Sequence, residues 1–179
     1  CCCLWFQYSA SCNDLGRSKI IPVLLKTAAF ILFIHFAQSA FASIITVGPS
    51  QRFVQIKPAL LSCKAGDTIL VKNGFYKEGN IVIDKRISFF GENFPVIDGD
   101  KRFEVITVKA DSVVIRGFRV QHSGYATLDD PGGIKVQNSN YVVVENNRLH
   151  DNFFGVYIQY GKHCIIRNNI LIAFGKEEQ

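Results

Sequence analysis

The chain has 179 residues, 48% of them hydrophobic and 20% charged, which excludes a disordered polymer and supplies a core for one domain. The formal net charge is +5. From residue 43 onward, 17 Lys and Arg residues stand against 14 Asp and Glu residues, spread along the sequence without a run of like charge. The charge pattern therefore does not predict a nucleic-acid surface.

The first 16 residues differ from the rest of the chain. They hold four of the six Cys, including a run of three, and show no hydrophobic periodicity. The sequence contains no Met, which predicts either a fragment or translation from upstream of the true start. A metal or lipid site on the Cys run is disfavoured, because no partner His and no lipobox lie nearby. We expect residues 1–16 to be non-native or upstream-translated.

Residues 17–42 are typical of a secretory signal peptide. An apolar stretch at residues 27–37 is followed by a small-x-small pattern at residues 40–42. Three cations precede the apolar stretch: Arg17, Lys19 and Lys26. A transmembrane anchor is the alternative, but the stretch is shorter than the roughly 20 residues that a bilayer requires. The sequence predicts export, cleavage after Ala42 and no membrane insertion of the mature chain.

The mature part contains a repeat with a period near 22 residues. Three segments align, beginning at Ile106, Ile134 and Val156, and each is read as short strands separated by a polar turn and a two-residue corner. Such a period, built from strands and turns, predicts a solenoid whose coils stack as parallel strands. Stacking would place inward side chains in three apolar columns: Ile106, Ile134 and Val156; Val108, Val136 and Ile158; Val120, Leu149 and Leu171.

Two further features belong to the predicted coils. Asn147 and Asn169 occupy the same corner position in successive repeats, which predicts a structural ladder of stacked amides rather than a ligand site. The segment from Gln121 to Gly133 is a long insertion that contains Pro and several Gly, and it predicts a protruding loop.

A helical pattern precedes the coils. Four apolar residues follow helical spacing: Phe53, Ile56, Leu60 and Cys63. Pro58 suits the first turn of a helix that starts near Lys57. We predict a capping helix at about residues 52–65, which closes the N-terminal end of the coils at about residues 67–174.

The sequence therefore predicts an all-β fold for residues 43–179, a right-handed parallel β-helix of about four to five coils with a short N-terminal capping helix. The two cysteines of this part, Cys63 and Cys164, fall in different repeats, and we predict no disulfide. An apolar run at residues 170–174 has no capping element after it. We expect a chain truncated at the C-terminus that associates with itself.

Several motifs in this part carry a resemblance. They are, in chain order, Ala65-Gly66-Asp67-Thr68, Gly79-Asn80-Ile81-Val82-Ile83-Asp84-Lys85, Pro95-Val96-Ile97-Asp98-Gly99, Val114-Ile115-Arg116-Gly117-Phe118, His122-Ser123-Gly124-Tyr125, Asn138-Ser139 and Glu145-Asn146-Asn147. The first resembles the N-terminal cap of right-handed parallel β-helix proteins in general. The order and spacing of all of them resemble NosD, the nitrous oxide reductase maturation family, over residues 53–174. The family's chains are longer, and Pro58 stands where a helix former is usual.

The resemblance implies a periplasmic protein without catalytic activity. It would assist assembly of the copper site of nitrous oxide reductase beside a membrane ABC transporter, so both of these would be its partners. It implies no intrinsic cofactor, with copper as a possible bound ion.

The alternative is a carbohydrate-binding or polysaccharide-degrading β-helix. Hydrolases of that type need paired carboxylates on one face of adjacent coils. Asp129 and Asp130 are the only adjacent carboxylates on the repeats, and they lie in the insertion, while Asp98 and Asp100 sit at a turn where Asp is expected. No Ser/His/Asp arrangement or phosphate loop is visible. We therefore expect no catalysis.

One edge of the coils carries candidate metal ligands. Aligning Val120 with Leu149 places Gln121 over His150 and His122 over Asp151. The insertion leaves from the same edge, so the candidate ligands are five: His122, His150, Asp129, Asp130 and Asp151. Imidazole with carboxylate suits Cu²⁺ or Zn²⁺. The alternative, which we favour, is a polar turn that serves as a protein-docking surface, with the insertion as its contact.

Overall fold

The computed structural model describes residues 42–125 and 130–173. The prediction for residues 1–16 and all but the last residue of the predicted signal peptide at residues 17–42 lie outside this part. The described residues form one helix, α1 (Ile56–Ser62), and fifteen strands: β1 (Ile44–Val47), β2 (Thr68–Val71), β3 (Phe75–Tyr76), β4 (Ile81–Ile83), β5 (Ser88–Gly91), β6 (Val96–Asp98), β7 (Ile106–Val108), β8 (Val114–Arg116), β9 (Arg119–Gln121), β10 (Gly132–Gln137), β11 (Val143–Glu145), β12 (Arg148–His150), β13 (Phe154–Gln159), β14 (Ile165–Arg167) and β15 (Ile170–Ile172). In this part, no helix has the length and hydrophobicity needed to span a membrane.

The strands form three parallel sheets that together make a solenoid of about five turns. Sheet A has the order β1-β2-β5-β8-β11-β14, sheet B has the order β15-β12-β9-β6-β3, and sheet C has the order β13-β10-β7-β4. Each full coil adds one strand to each sheet. The observed architecture confirms the predicted parallel β-helix.

The predicted apolar columns are confirmed by the strand register. Ile134 pairs with Ile106 on one side and with Val156 on the other, and Val136 pairs likewise with Val108 and Ile158. The third column, through Leu149, is formed in the same way on sheet B. Alternation along each strand sends these side chains inward, and all of them except Leu171 belong to one core cluster or pack against it.

The capping helix is shorter than predicted. It spans Ile56–Ser62 rather than about residues 52–65, because Phe53 forms a parallel bridge with Val47 instead of joining the helix. Gln55, at the N-cap, provides no side-chain hydrogen bond. Glu78 replaces it from outside the helix, since its carboxylate accepts hydrogen bonds from the amides of Ile56 (2.7 Å) and Lys57 (2.9 Å).

The coils also begin earlier than predicted. Strand β1 pairs with β2 along its full length and lies before α1, so the described part of the solenoid includes residues from Ile44 onward and does not begin near residue 67. Asp67 fastens this junction, because its carboxylate accepts hydrogen bonds from the amides of Ser43 (2.9 Å) and Lys64 (2.7 Å). Strand β1 is followed by α1 and not by the strands of the aligned repeat. Sequence periodicity therefore does not reveal it.

The corner between sheets A and B is held by stacked Asn side chains. The Asn147 Nδ2 group donates to Asn169 Oδ1 (3.1 Å) and to the Ile115 carbonyl (3.1 Å), and Asn147 Oδ1 accepts from the Phe118 amide (3.1 Å). Asn169 continues the pattern by donating to the Val144 carbonyl (2.8 Å). The side chain of Asn147 is buried, so these bonds satisfy polar groups of the corner that have no access to water.

Candidate functional site

The edge that follows sheet B brings His122 between two carboxylates. Its Nδ1 lies 2.8 Å from Asp98 Oδ2, and its Nε2 lies 3.8 Å from Asp151 Oδ2. Gln121 donates from Nε2 to the same Asp98 oxygen (2.8 Å) and pairs in register with His150, as the repeat alignment predicts. We call these five residues the His122 corner.

Asp98 is the part of this corner that the sequence analysis treats only as a turn residue. Burial is the largest single influence on the pKa of Asp98, and taken alone it would raise that pKa. Hydrogen bonds from Gln121, the Asp100 amide and His122, with the attraction of the His122 charge, outweigh burial and hold the pKa of Asp98 below its ordinary value. Asp98 is therefore an ionised, buried acceptor that fixes the His122 ring.

The predicted metal ligands are only partly brought together. His122 and Asp151 are neighbours, and a backbone hydrogen bond joins the His122 amide to the His150 carbonyl (3.3 Å). Asp130 is exposed just before β10, and Asp129 lies outside the described residues. Within residues 42–125 and 130–173, no group of three or more His, Cys, Asp and Glu side chains is placed to hold a metal ion. The copper site stays a prediction.

A second polar site lies on the outer face of sheet C. A cavity of about 410 Å³ opens there, and Glu104 and Lys135 are among the residues that line it. Lys135 Nζ and Glu104 Oε1 form an ion pair of 2.6 Å. The Thr107 hydroxyl donates to Glu104 Oε2 (2.5 Å) and lies 2.9 Å from Asn80 Oδ1. We call this the sheet C groove.

The repeat alignment contains the signal for this groove. Thr107, Lys135 and Tyr157 each follow an inward apolar residue, so they form an outward row across three strands. Lys135 and Thr107 are nevertheless buried, because the outer loops cover that face. The sequence feature that marks the site is Lys135 between the β-branched residues Ile134 and Val136, and sequence reasoning missed it.

Aromatic side chains cluster beside the insertion. The rings of Tyr125 and Phe153 are 5.3 Å apart, Phe153 lies 4.9 Å from Phe154, and Phe154 lies 5.5 Å from Tyr157. Tyr125 is 56% exposed, and Phe153 and Phe154 are each 40% exposed. We call these four residues the aromatic surface. Exposed aromatic clusters of this kind mark places where a protein or another ligand binds.

Comparison with known proteins places this architecture in a family. The family described as "Right handed beta helix region" matches residues 55–176, which is most of the chain. The chain belongs to the right-handed β-helix family. No curated protein and no solved structure matches the chain.

Membership of the right-handed β-helix family agrees with the parallel sheets and the short helix near the N-terminus. One β-helix scaffold carries many activities, so membership of the family alone does not assign a function.

Proposed function

We propose that this β-helix protein is an exported, non-enzymatic maturation factor of the NosD type. In the periplasm it assists assembly of the copper site of nitrous oxide reductase, together with a membrane ABC transporter. The motif order over residues 53–174 supports this assignment. The aromatic surface is the structural observation that carries it, since a factor that acts by docking needs an exposed patch of large side chains.

The state of the Glu104 carboxylate in the sheet C groove supports a binding role rather than catalysis. Glu104 is engaged by Lys135 on one oxygen and by Thr107 on the other. The general acid or base of a glycoside hydrolase needs a free oxygen aimed at substrate, with a second carboxylate at a set distance. In this proposal copper is cargo that passes to the reductase, and the His122 corner is its candidate binding site.

The aromatic surface can be tested in denitrifying cells that produce the full chain. We expect the F153S/F154S variant to lower the copper content and activity of the purified reductase, because docking is weakened. Y141S is a matched control, since Tyr141 is 58% exposed and stacks on His163 at a different corner. Reductase with a normal copper content from F153S/F154S cells would overturn the proposal.

Copper binding needs a separate measurement. Titration of the full chain with Cu²⁺, followed by ultraviolet circular dichroism, should show a signal that the H122A/H150A variant lacks. Equal signals in both forms, or none in either, would remove copper binding from the proposal while leaving the docking experiment intact.

A second candidate function is saccharide binding, favoured by the sheet C groove itself. Its polar residues lie next to the rings of Tyr125 and Tyr157, and aromatic faces with hydrogen-bonding groups suit sugar rings. Calorimetry with polygalacturonate oligomers distinguishes the two functions. Binding that is lost in K135A, with reductase maturation unaffected by F153S/F154S, would favour the saccharide.

A further inference from the structure

Four arginines that are dispersed in the sequence meet at the corner between sheets A and B. Arg119 on β9 pairs in register with Arg148 on β12, and Glu145 lies between Arg116 and Arg167 on sheet A. All four arginines are exposed. The sequence has no run of like charge, and it is the period of the coils that stacks these positions. We call the four residues the arginine corner.

Two of the guanidinium groups are held in place by aromatic rings. Arg116 lies 3.9 Å from the centroid of the Phe90 ring, and Arg148 lies 4.0 Å from that of Phe94. A guanidinium stacked in this way keeps its N–H groups in a fixed plane and loses less freedom when it binds a ligand. The corner is thus preorganised for binding rather than a set of mobile surface charges.

Among the described residues, one of the four arginines forms an ion pair and three do not. Arg167 pairs with Glu145 (2.7 Å). Within the described part of the chain, Arg116, Arg119 and Arg148 form no ion pair with Asp or Glu. Like charges directly opposite each other on adjacent strands are destabilising, and Arg119 and Arg148 stand in this relation. An anionic partner would relieve that repulsion.

We propose that the arginine corner is a docking surface for an acidic segment of a partner protein. Guanidinium forks bind Asp and Glu carboxylates in a bidentate way, and Arg with aromatic residues is the composition of interface hot spots. Glu92 and Glu145 lie at the same corner, so a membrane or a nucleic acid, with its uniform negative charge, fits this surface less well than a protein with separate charges. The inference does not depend on the reductase.

The test measures binding of the full chain to fluorescein-labelled poly-L-glutamate. Fluorescence anisotropy of this probe is recorded at two salt concentrations. We expect binding that salt weakens and that R119E/R148E reduces by about tenfold or more. The matched control is R52E/R86E, with the same change of charge at two exposed arginines, one of which also stacks on a ring, that of Phe53. The control should change binding by less than about threefold.

Phosphatidylglycerol vesicles and duplex DNA form the other arms. Absence of poly-L-glutamate binding to the wild-type chain, or equal loss in both double variants, would overturn the proposal. Vesicle or DNA binding that R119E/R148E abolishes, with poly-L-glutamate binding unchanged, would also overturn it. Thermal unfolding of each variant checks that the fold is kept.

Discussion

At the scale of single residues, the A–B corner combines an exposed left-handed position with a buried amide. Asn146 has a φ of 53°, and Gly117 and Asn168 occupy the equivalent positions of the neighbouring coils with φ of 80° and 55°. Asn and Gly are the residues that adopt this conformation at low cost. Asn147, the next residue, supplies the hydrogen bonds of the ladder. The two adjacent asparagines therefore have different roles: Asn146 supplies the left-handed backbone conformation, and Asn147 supplies the side-chain hydrogen bonds.

Asn147→Ala should destabilise the protein by about 2 to 3 kcal/mol, because it removes the hydrogen bonds of a buried side chain to the Phe118 amide and the Ile115 carbonyl. Urea unfolding followed by circular dichroism measures the change. Asn146→Gly is the matched control and should alter stability by less than about 0.5 kcal/mol, since its side chain is exposed and glycine accepts its φ. An effect of equal size in both variants would argue against the ladder.

Residue-level prediction from sequence succeeded where apolar residues of successive coils can be aligned, even though the coils differ in length. Ile134 and Val156 are 22 residues apart, but Ile106 and Ile134 are 28 apart and Ile81 and Ile106 are 25 apart. Turn lengths vary while the strand register stays constant, so the apolar columns of the aligned repeats could be predicted from the sequence. The contact between Asp98 and His122 could not be predicted, because Asp98 lies on an earlier coil outside the alignment.

At the scale of elements, α1 is a short helix stabilised by residues outside it. Glu78 binds the first two amides, Pro58 has no amide to satisfy, and Lys85 donates from Nζ to the carbonyls of Leu60 (2.9 Å) and Cys63 (3.2 Å) near the C-terminal end. An isolated helix of seven residues would be unstable in water. Helix spacing predicted its existence, while its ends depend on side chains more than 20 residues away.

Glu78→Ala should destabilise the protein by about 1 to 2 kcal/mol through loss of this remote cap. The measurement is again the urea midpoint. Glu92→Ala gives the comparison, because Glu92 forms an ion pair with Lys72 in which both side chains are substantially exposed, and such pairs contribute at most about 1 kcal/mol. If Glu92→Ala proved the more damaging change, the capping role would be wrong.

Asp67 should make the junction of β1, α1 and β2 sensitive to acid. Hydrogen bonds from the Lys64 and Ser43 amides hold the pKa of Asp67 below its ordinary value. Its ionised form thus stabilises the fold above the unfolded pKa of about 4, and that stabilisation is lost as pH falls through the lower folded value. Asp67→Asn should unfold at a lower temperature at pH 7, and the difference from wild type should shrink below about pH 4. A difference independent of pH would contradict this.

At the scale of the whole molecule, the last described coil continues the inward columns without burying them. Ile166 pairs with Val144, and Leu171 pairs with Leu149; both partners are buried, yet Ile166 is 46% and Leu171 is 58% exposed. In the part of the chain that the structure describes, the final strands of the three sheets each have a partner on one side. Such edges and apolar ends favour association with another chain.

Residues 43–179 produced on their own should therefore self-associate, and Ile166→Lys with Leu171→Lys should reduce that association. Sedimentation velocity over a range of concentrations measures it. Tyr160→Lys is the control, since Tyr160 is also highly exposed but follows β13 on the outer surface. A wild-type chain that stays monomeric at high concentration would refute the prediction.

The constant strand register has a consequence for how such a chain can change length. Removing residues 134–155 as one block would bring Val156 into the position that Ile134 holds opposite Ile106, and the inward columns would close again. Removing a single residue from a strand would instead turn every following side chain of that strand to the wrong face. The turns can vary in length, but the stacked strands can be shortened or extended only by whole coils.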